Sequence, residues 1–163
     1  MKIPIGLKKS AAMVLLRHQD EFLLLKRAKE PNKGLYVPVG GKLEPFEDPR
    51  SAAIRETKEE TGITVDSLKY CGVLIESSPG KYNWQCNIYV ADINRVPPPE
   101  CDEGILEWIA YADVPQIPTP PTDWQIYQYI MAEKPFAMDA IYDKKMNLTF
   151  FKEELENKNL LDT

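Results

Sequence analysis

The stretch Gly40-Gly41-Lys42-Leu43-Glu44-Pro45-Phe46-Glu47-Asp48-Pro49, running on through Arg55-Glu56-Thr57-Lys58-Glu59-Glu60-Thr61-Gly62-Ile63, decides how the rest of the chain is read. Asp48-Pro49 reads as a helix start. An aspartate side chain can accept from the free N–H groups of a first turn, and proline suits the first helical position. Arg50 to Thr61 are mostly good helix formers, and Gly62 stands where a left-handed cap is expected. On that helix Glu56 precedes Glu59 by three residues and Glu60 by four, so three carboxylates share one sector. Like charges at this spacing repel and weaken the helix. A hard divalent cation offsets that repulsion, and Mg²⁺ suits a few carboxylates plus the oxygens of a substrate phosphate. Gly40 and Gly41 allow the backbone to approach a ligand closely and can offer it a carbonyl. Lys42 adds a positive charge beside any phosphate, and Arg55 can reach back to a loop carboxylate such as Glu47.

Outward from this helix the chain reads mainly as strands. Ser10–Arg17 and Phe22–Arg27 suggest a hairpin, and Leu35–Val39 a short strand ending at Gly40-Gly41. Ile63–Ser77 and Tyr82–Ile93 follow as strands. Trp84, Cys86, Ile88 and Val90 of the second lie on one side, with Gln85, Asn87 and Tyr89 on the other. Val96-Pro97-Pro98-Pro99 is a stiff connection to a strand at Leu106–Tyr111. Thr122–Glu133 has helical spacing at Trp124, Ile126, Tyr127, Ile130 and Met131. Phe136–Tyr142 is extended, and the last fifteen or so residues suggest a short strand and a frayed helix. Strands interrupted by two helices predict an α+β fold, a central mixed β-sheet with one helix on each face. The prolines cluster at loops, so residues 1–163 read as a single domain.

Composition narrows the function. With 25 acidic and 20 basic residues the net charge of the 163-residue chain is -5, which gives no broad positive footprint for duplex DNA. The charge is unevenly laid out: +6 over residues 1–43, -3 over 44–60 and -7 over 96–133. A single histidine and three cysteines without a CxxC make no zinc pattern and predict reduced thiols. The apolar run Ala11–Leu16 is too short for a signal-peptide core, and no stretch nears the ~20 apolar residues that span a membrane. The expectation is a cytoplasmic protein, with a homodimer left open.

The segment Gly41 to Ile63 resembles the Nudix box, G-x5-E-x7-R-E-U-x-E-E-x-G-U with U aliphatic. Gly41, Glu47, Arg55, Glu56, Glu59, Glu60, Gly62 and Ile63 fall in register, eight of nine specified positions over 23 residues. Thr57 departs at the first U, and Phe46 stands where relatives often carry glycine. The resemblance implies a Nudix hydrolase, an α/β/α sandwich that uses Mg²⁺ or Mn²⁺ to hydrolyse nucleoside diphosphates linked to another moiety. By position it implies metal ligation by Glu56 and Glu60, and by the Gly40 carbonyl. Glu59 is a ligand or the residue that activates water, and Glu47 with Arg55 forms a loop–helix brace. Relatives often add an acidic residue before a late strand; Asp102 and Glu103 fit that place, with Glu103 favoured.

The lead-in Tyr36-Val37-Pro38-Val39-Gly40-Gly41-Lys42 resembles that of MutT-like oxidised-purine triphosphatases. That resemblance implies a nucleoside triphosphate pyrophosphohydrolase releasing a monophosphate and pyrophosphate, 8-oxo-dGTP being one such substrate, with Lys42 beside the phosphates. ADP-ribose, a dinucleotide polyphosphate or an RNA end are alternative substrates, and a non-catalytic ligand sensor is the alternative class. Asp123 falls where this subgroup reads the base, or else it caps the helix near Trp124. Trp84, Trp108, Trp124, Tyr36 and Tyr127 are stacking candidates, Trp84 and Trp108 reading better as core because they lie in strands.

Overall fold

A computed structural model describes residues 2–161. Its strands are β1 (Lys9–His18), β2 (Glu21–Arg27), β3 (Tyr36–Val37), β4 (Val39–Lys42), β5 (Lys69–Ser77), β6 (Trp84–Asp92), β7 (Glu100–Cys101), β8 (Gly104–Ala110), β9 (Phe136–Tyr142), β10 (Leu148–Glu153) and β11 (Lys158–Asn159). The helices are α1 (Pro49–Thr61) and α2 (Pro121–Met131), with a 3₁₀ segment at Tyr111–Gln116. The strands make one mixed sheet in the order β11-β10-β9-β5-β6-β1-β2-β8-β7. The β1–β6 and β5–β9 pairs are parallel and the others antiparallel.

The centre of the sheet is β1, whose run Ala11–Leu16 is apolar because both its faces are covered. Side chains of a strand alternate between faces. Ala11, Met13 and Leu15 accordingly join a core with Ile126, Tyr127 and Ile130 of α2. Ala12, Val14 and Leu16 join another with Ala52 and Ala53 of α1. The expected helix on each face is therefore present. One edge of β1 pairs along its length with β6; the other is shared, β4 taking Ala11–Val14 and β2 taking Leu16–His18. The glycine pair thus lies inside β4 instead of ending a strand, and Pro38 is what separates β3 from β4. Gly40 fits because a Cβ there would lie 2.2 Å from the Ala12 carbonyl oxygen.

Three further expectations are corrected. Residues 63–68 are irregular and β5 begins only at Lys69, Val65 being buried from a loop. The C-terminal tail has no helix among the described residues; its turn leads into β11, whose Leu160 flank is buried beside Phe151. Pro120 occupies the cap of α2, without a side-chain bond, so Asp123 sits inside the first turn and is no cap. Among the described residues no helix is long and apolar enough to cross a membrane, and Cys71, Cys86 and Cys101 are free thiols.

Helix α1 begins and ends as its sequence predicts. Asp48 accepts from the Ser51 N–H at 2.9 Å, Pro49 takes the first position, and Gly62, at φ 75°, donates its N–H to the Lys58 carbonyl. The buried face is Ala52, Ala53, Thr57 and Thr61, small residues that let the helix lie close to the sheet. Thr57, the departure from the aliphatic pattern, is fully buried, and among the described residues its hydroxyl has no hydrogen-bond partner. A buried unpaired hydroxyl costs about 1–3 kcal/mol. Thr57→Val keeps the shape and removes the hydroxyl, so it should stabilise the fold by about 1 kcal/mol, read as a higher midpoint in urea.

Candidate functional site

Arg55 organises the outer half of the site. Its guanidinium donates to both carboxylate oxygens of Glu47 at 2.8 and 2.9 Å, to Glu56 at 2.9 Å, to Glu59 at 3.2 Å and to the Lys42 carbonyl at 3.0 Å. The bidentate pair holds the Glu47 carboxyl down at about 2. Phe46 takes φ 66°, the left-handed region glycine favours, and its ring is fully exposed. The turn it belongs to still closes, the Glu47 N–H donating to the Glu44 carbonyl at 3.1 Å. The departure at Phe46 therefore leaves the loop–helix contact intact.

Gly41 leaves room for the end of the Glu56 side chain. A Cβ there would lie 2.5 Å from the Glu56 carboxyl carbon, so the carboxylate fills the space a side chain would take. Glu60 points to the glycine turn as well, accepting from the Gly40 N–H at 3.4 Å. Burial pushes the Glu60 carboxyl up to about 7; the charges of Glu56 and Glu103 push the same way, while the Gly40 amide and Arg27 oppose them. Glu103 lies in the turn between β7 and β8, with Arg27 at 3.9 Å. Its charge reaches Glu60, whereas the neighbouring Asp102 is exposed. The structure thus gathers Gly40, Glu56, Glu59, Glu60 and Glu103 around one end of α1.

These groups suit a hard cation: all are oxygen donors, and one carboxylate is half-buried among like charges. Among the described residues no three of them already stand together as a finished cage. Arg55 holds Glu56 and Glu59, so a cation would have to compete with it for them.

The glycine turn opens into a cavity of about 1180 Å³ on the α2 side of the sheet. Lys42 stands at its mouth, with its ammonium 5.9 Å from the centre of the Trp84 ring. Deeper in, Asp123 is buried, and among the described residues its carboxylate accepts a long bond, 3.4 Å, from the Thr122 hydroxyl. Burial, then the charge of Glu76, pushes the Asp123 carboxyl up to about 7. Trp84 packs on the core from its strand, as expected, and its half-buried ring also lines this cavity. Tyr127 is fully buried, its hydroxyl donating to the Tyr36 carbonyl at 2.9 Å, and Tyr36 donates to Glu107. The Trp108 ring donates to the Val96 carbonyl and stacks with Arg95, and Trp124, within α2, packs on the core. None of these four lines the cavity. Glu76, Tyr82, Tyr142 and Arg27 do, and the sequence reading missed them. Glu76 was detectable: it shares the inward register of Gly72 and Leu74 in β5, an acid on an otherwise apolar face.

The sign of the pH response follows from Glu60 and Asp123. The native protein keeps their protons up to about 7, whereas in the unfolded chain they leave at the ordinary values of 4.5 and 3.8. The native state binds more protons across that window, so metal-free stability should fall as pH rises from about 4 through about 7. Glu60→Gln should flatten part of the fall when the thermal midpoint is followed against pH; an unchanged slope would show that Glu60 is not held protonated.

The chain has relatives among known proteins. Residues 6–132 match the family model described as NUDIX domain. "Uncharacterized Nudix hydrolase YvcI" of Bacillus subtilis (strain 168) is 32% identical over 122 residues, covering 72% of this chain and 75% of that protein. "Putative 8-oxo-dGTP diphosphatase YtkD" of the same organism is 41% identical over 83 residues, about half of each chain (51% and 49%). A MutT crystal structure from Bacillus halodurans superimposes with a TM-score of 0.79 at 24% identity, covering 90% of this chain and 98% of that one. That likeness speaks for the fold, while the family match spans most of the chain and takes in the glycine turn, the glutamate helix and Asp123. The chain belongs to the Nudix hydrolase family.

Proposed function

We propose that this chain is a divalent-metal-dependent nucleoside triphosphate pyrophosphohydrolase of MutT type, an oxidised purine triphosphate such as 8-oxo-dGTP being a candidate substrate. The observation that carries the reading is Asp123, a buried carboxylate facing a cavity whose mouth is the glycine turn. A carboxylate there can accept from the N–H edge of a purine while the phosphates extend toward Lys42 and α1. The likeness to YtkD supports the same direction.

In this reading Glu56, Glu60, the Gly40 carbonyl and Glu103 would hold Mg²⁺ or Mn²⁺, and Glu59 would be a further ligand or take the proton of the attacking water. A cation held by these residues would supply charge neutralisation of the phosphates, polarisation of the attacked phosphorus and a more acidic water. Lys42 binds a phosphate oxygen. Arg55 and Glu47 act through position, fixing the loop to the helix. Water adds to one phosphorus, its P–O–P bond breaks, and the products are a nucleoside monophosphate and pyrophosphate.

The test is a panel of oxidised and unoxidised nucleoside triphosphates, ADP-ribose, a dinucleotide polyphosphate and a capped RNA end. Each is assayed with Mg²⁺ for pyrophosphate or phosphate release. Triphosphates should be preferred, and chelating the metal should abolish turnover and weaken nucleotide binding. Glu60→Gln should lower kcat by about 100-fold or more. Unchanged hydrolysis by that variant would remove this helix from the reaction, and no hydrolysis of any substrate by the wild type would favour a ligand sensor.

A further inference from the structure

The inner end of the cavity holds a second carboxylate that the reaction above does not use. Glu76, at the end of β5, is 4% exposed and lines the cavity with Asp123. Its two oxygens each accept a phenolic hydroxyl, from Tyr142 at 2.7 Å and from Tyr82 at 3.2 Å. The tyrosines come from β9 and from the loop before β6, so Glu76 is clamped from two sides. Desolvation and the charge of Glu76 keep both phenols protonated, their acidities pushed far below the usual range. Their protons are already directed at Glu76. A carboxylate has about four acceptor positions, and two of these remain. Among the described residues, Asp123 beside it has only the long bond from Thr122. Two carboxylates with spare acceptor capacity, buried at one end of a cavity, call for N–H donors from whatever enters.

We infer that Glu76 is a second base-reading residue, and that the Asp123–Glu76 pair selects a purine presenting two adjacent N–H donors on one edge. Guanine does so with N1–H and its 2-amino group. Hypoxanthine keeps N1–H and lacks the amino group. Adenine offers its 6-amino group beside the N1 lone pair, which would face a carboxylate and repel it. Loss of one such bond leaves a buried acceptor unpaired, which is why a site of this kind discriminates strongly between near-isosteric ligands. The Trp84 ring and the Leu74 and Cys86 side chains give the same end apolar walls for the base.

This inference rests on the cavity being a nucleotide site, and its test avoids the hydrolysis assay. Binding of GMP, IMP and AMP is measured at pH 8 in Mg²⁺ buffer by calorimetry. The wild type should bind GMP about tenfold or more tighter than IMP or AMP. Glu76→Gln should bring GMP to within about threefold of IMP while IMP itself changes by less than about threefold. Asp123→Asn should weaken both. If Glu76→Gln does not fold, Tyr142→Phe, which frees one carboxylate oxygen and keeps the ring, should lower the GMP-to-IMP ratio severalfold. A wild type that binds GMP and IMP equally, or a folded Glu76→Gln that weakens both alike, overturns the inference. Guanine selectivity without triphosphate hydrolysis would overturn only the reaction proposed above, and hydrolysis without base selectivity would overturn only the role of Glu76.

Discussion

One guanidinium holds the outer site in shape. Arg55 belongs to α1, yet it bonds a loop carboxylate, a strand carbonyl and two carboxylates of its own helix. Its planar fork meets Glu47 with two parallel bonds, which fixes angle as well as distance. Through that fork β4, the loop around Phe46 and α1 are tied together. The glutamate left outside it is Glu60, whose carboxyl desolvation pushes up to about 7. The helix therefore carries carboxylates of two kinds: two paired with Arg55, and one half-buried among like charges.

The sheet separates two tasks. Its α1 face carries the carboxylate cluster, and its α2 face carries the deep cavity with Asp123 and Glu76. They meet at β4, where Gly40 presses on β1 and Gly41 leaves room for Glu56. A side chain at Gly40 would press on the β1 backbone, and one at Gly41 would push the Glu56 carboxylate aside. The acidic balance of the whole chain then has a physical layout. Acids crowd α1 and the β7–β8 turn, and the basic N-terminal third brings Arg27 and Lys42 to the cavity wall.

Legibility in the sequence followed the range of the forces involved. Helix α1 was readable from start to stop because Asp48, Pro49 and Gly62 act on their own neighbours. The meeting of Arg55 with Glu47 was readable because it spans one loop. Both strands of the hairpin and the side pattern of β6 followed from alternation and burial. What spacing could not reach were contacts made only by folding. The clamp on Glu76 joins residues 66 apart in sequence, and Tyr127 meets Tyr36 across 91. For Trp84 the strand position told which face the ring takes, and left open that this face is packed on the core on one side and lines the cavity on the other. Asp123 was misjudged as a possible cap because the helix starts earlier, at Pro121, where proline fixes the backbone without a side-chain bond.

The shared edge of β1 bears on how this molecule opens. A strand bonded to one neighbour can peel away while the rest stays folded. Here β1 is bonded to β6 on one side and to β4 and β2 on the other, and its two faces hold up both cores. Local unfolding that exposed β1 would dissolve the cation end and the base end of the site together. The two ends thus form one cooperative unit, while β11, a two-residue strand at the sheet's edge, is free to fray without disturbing either.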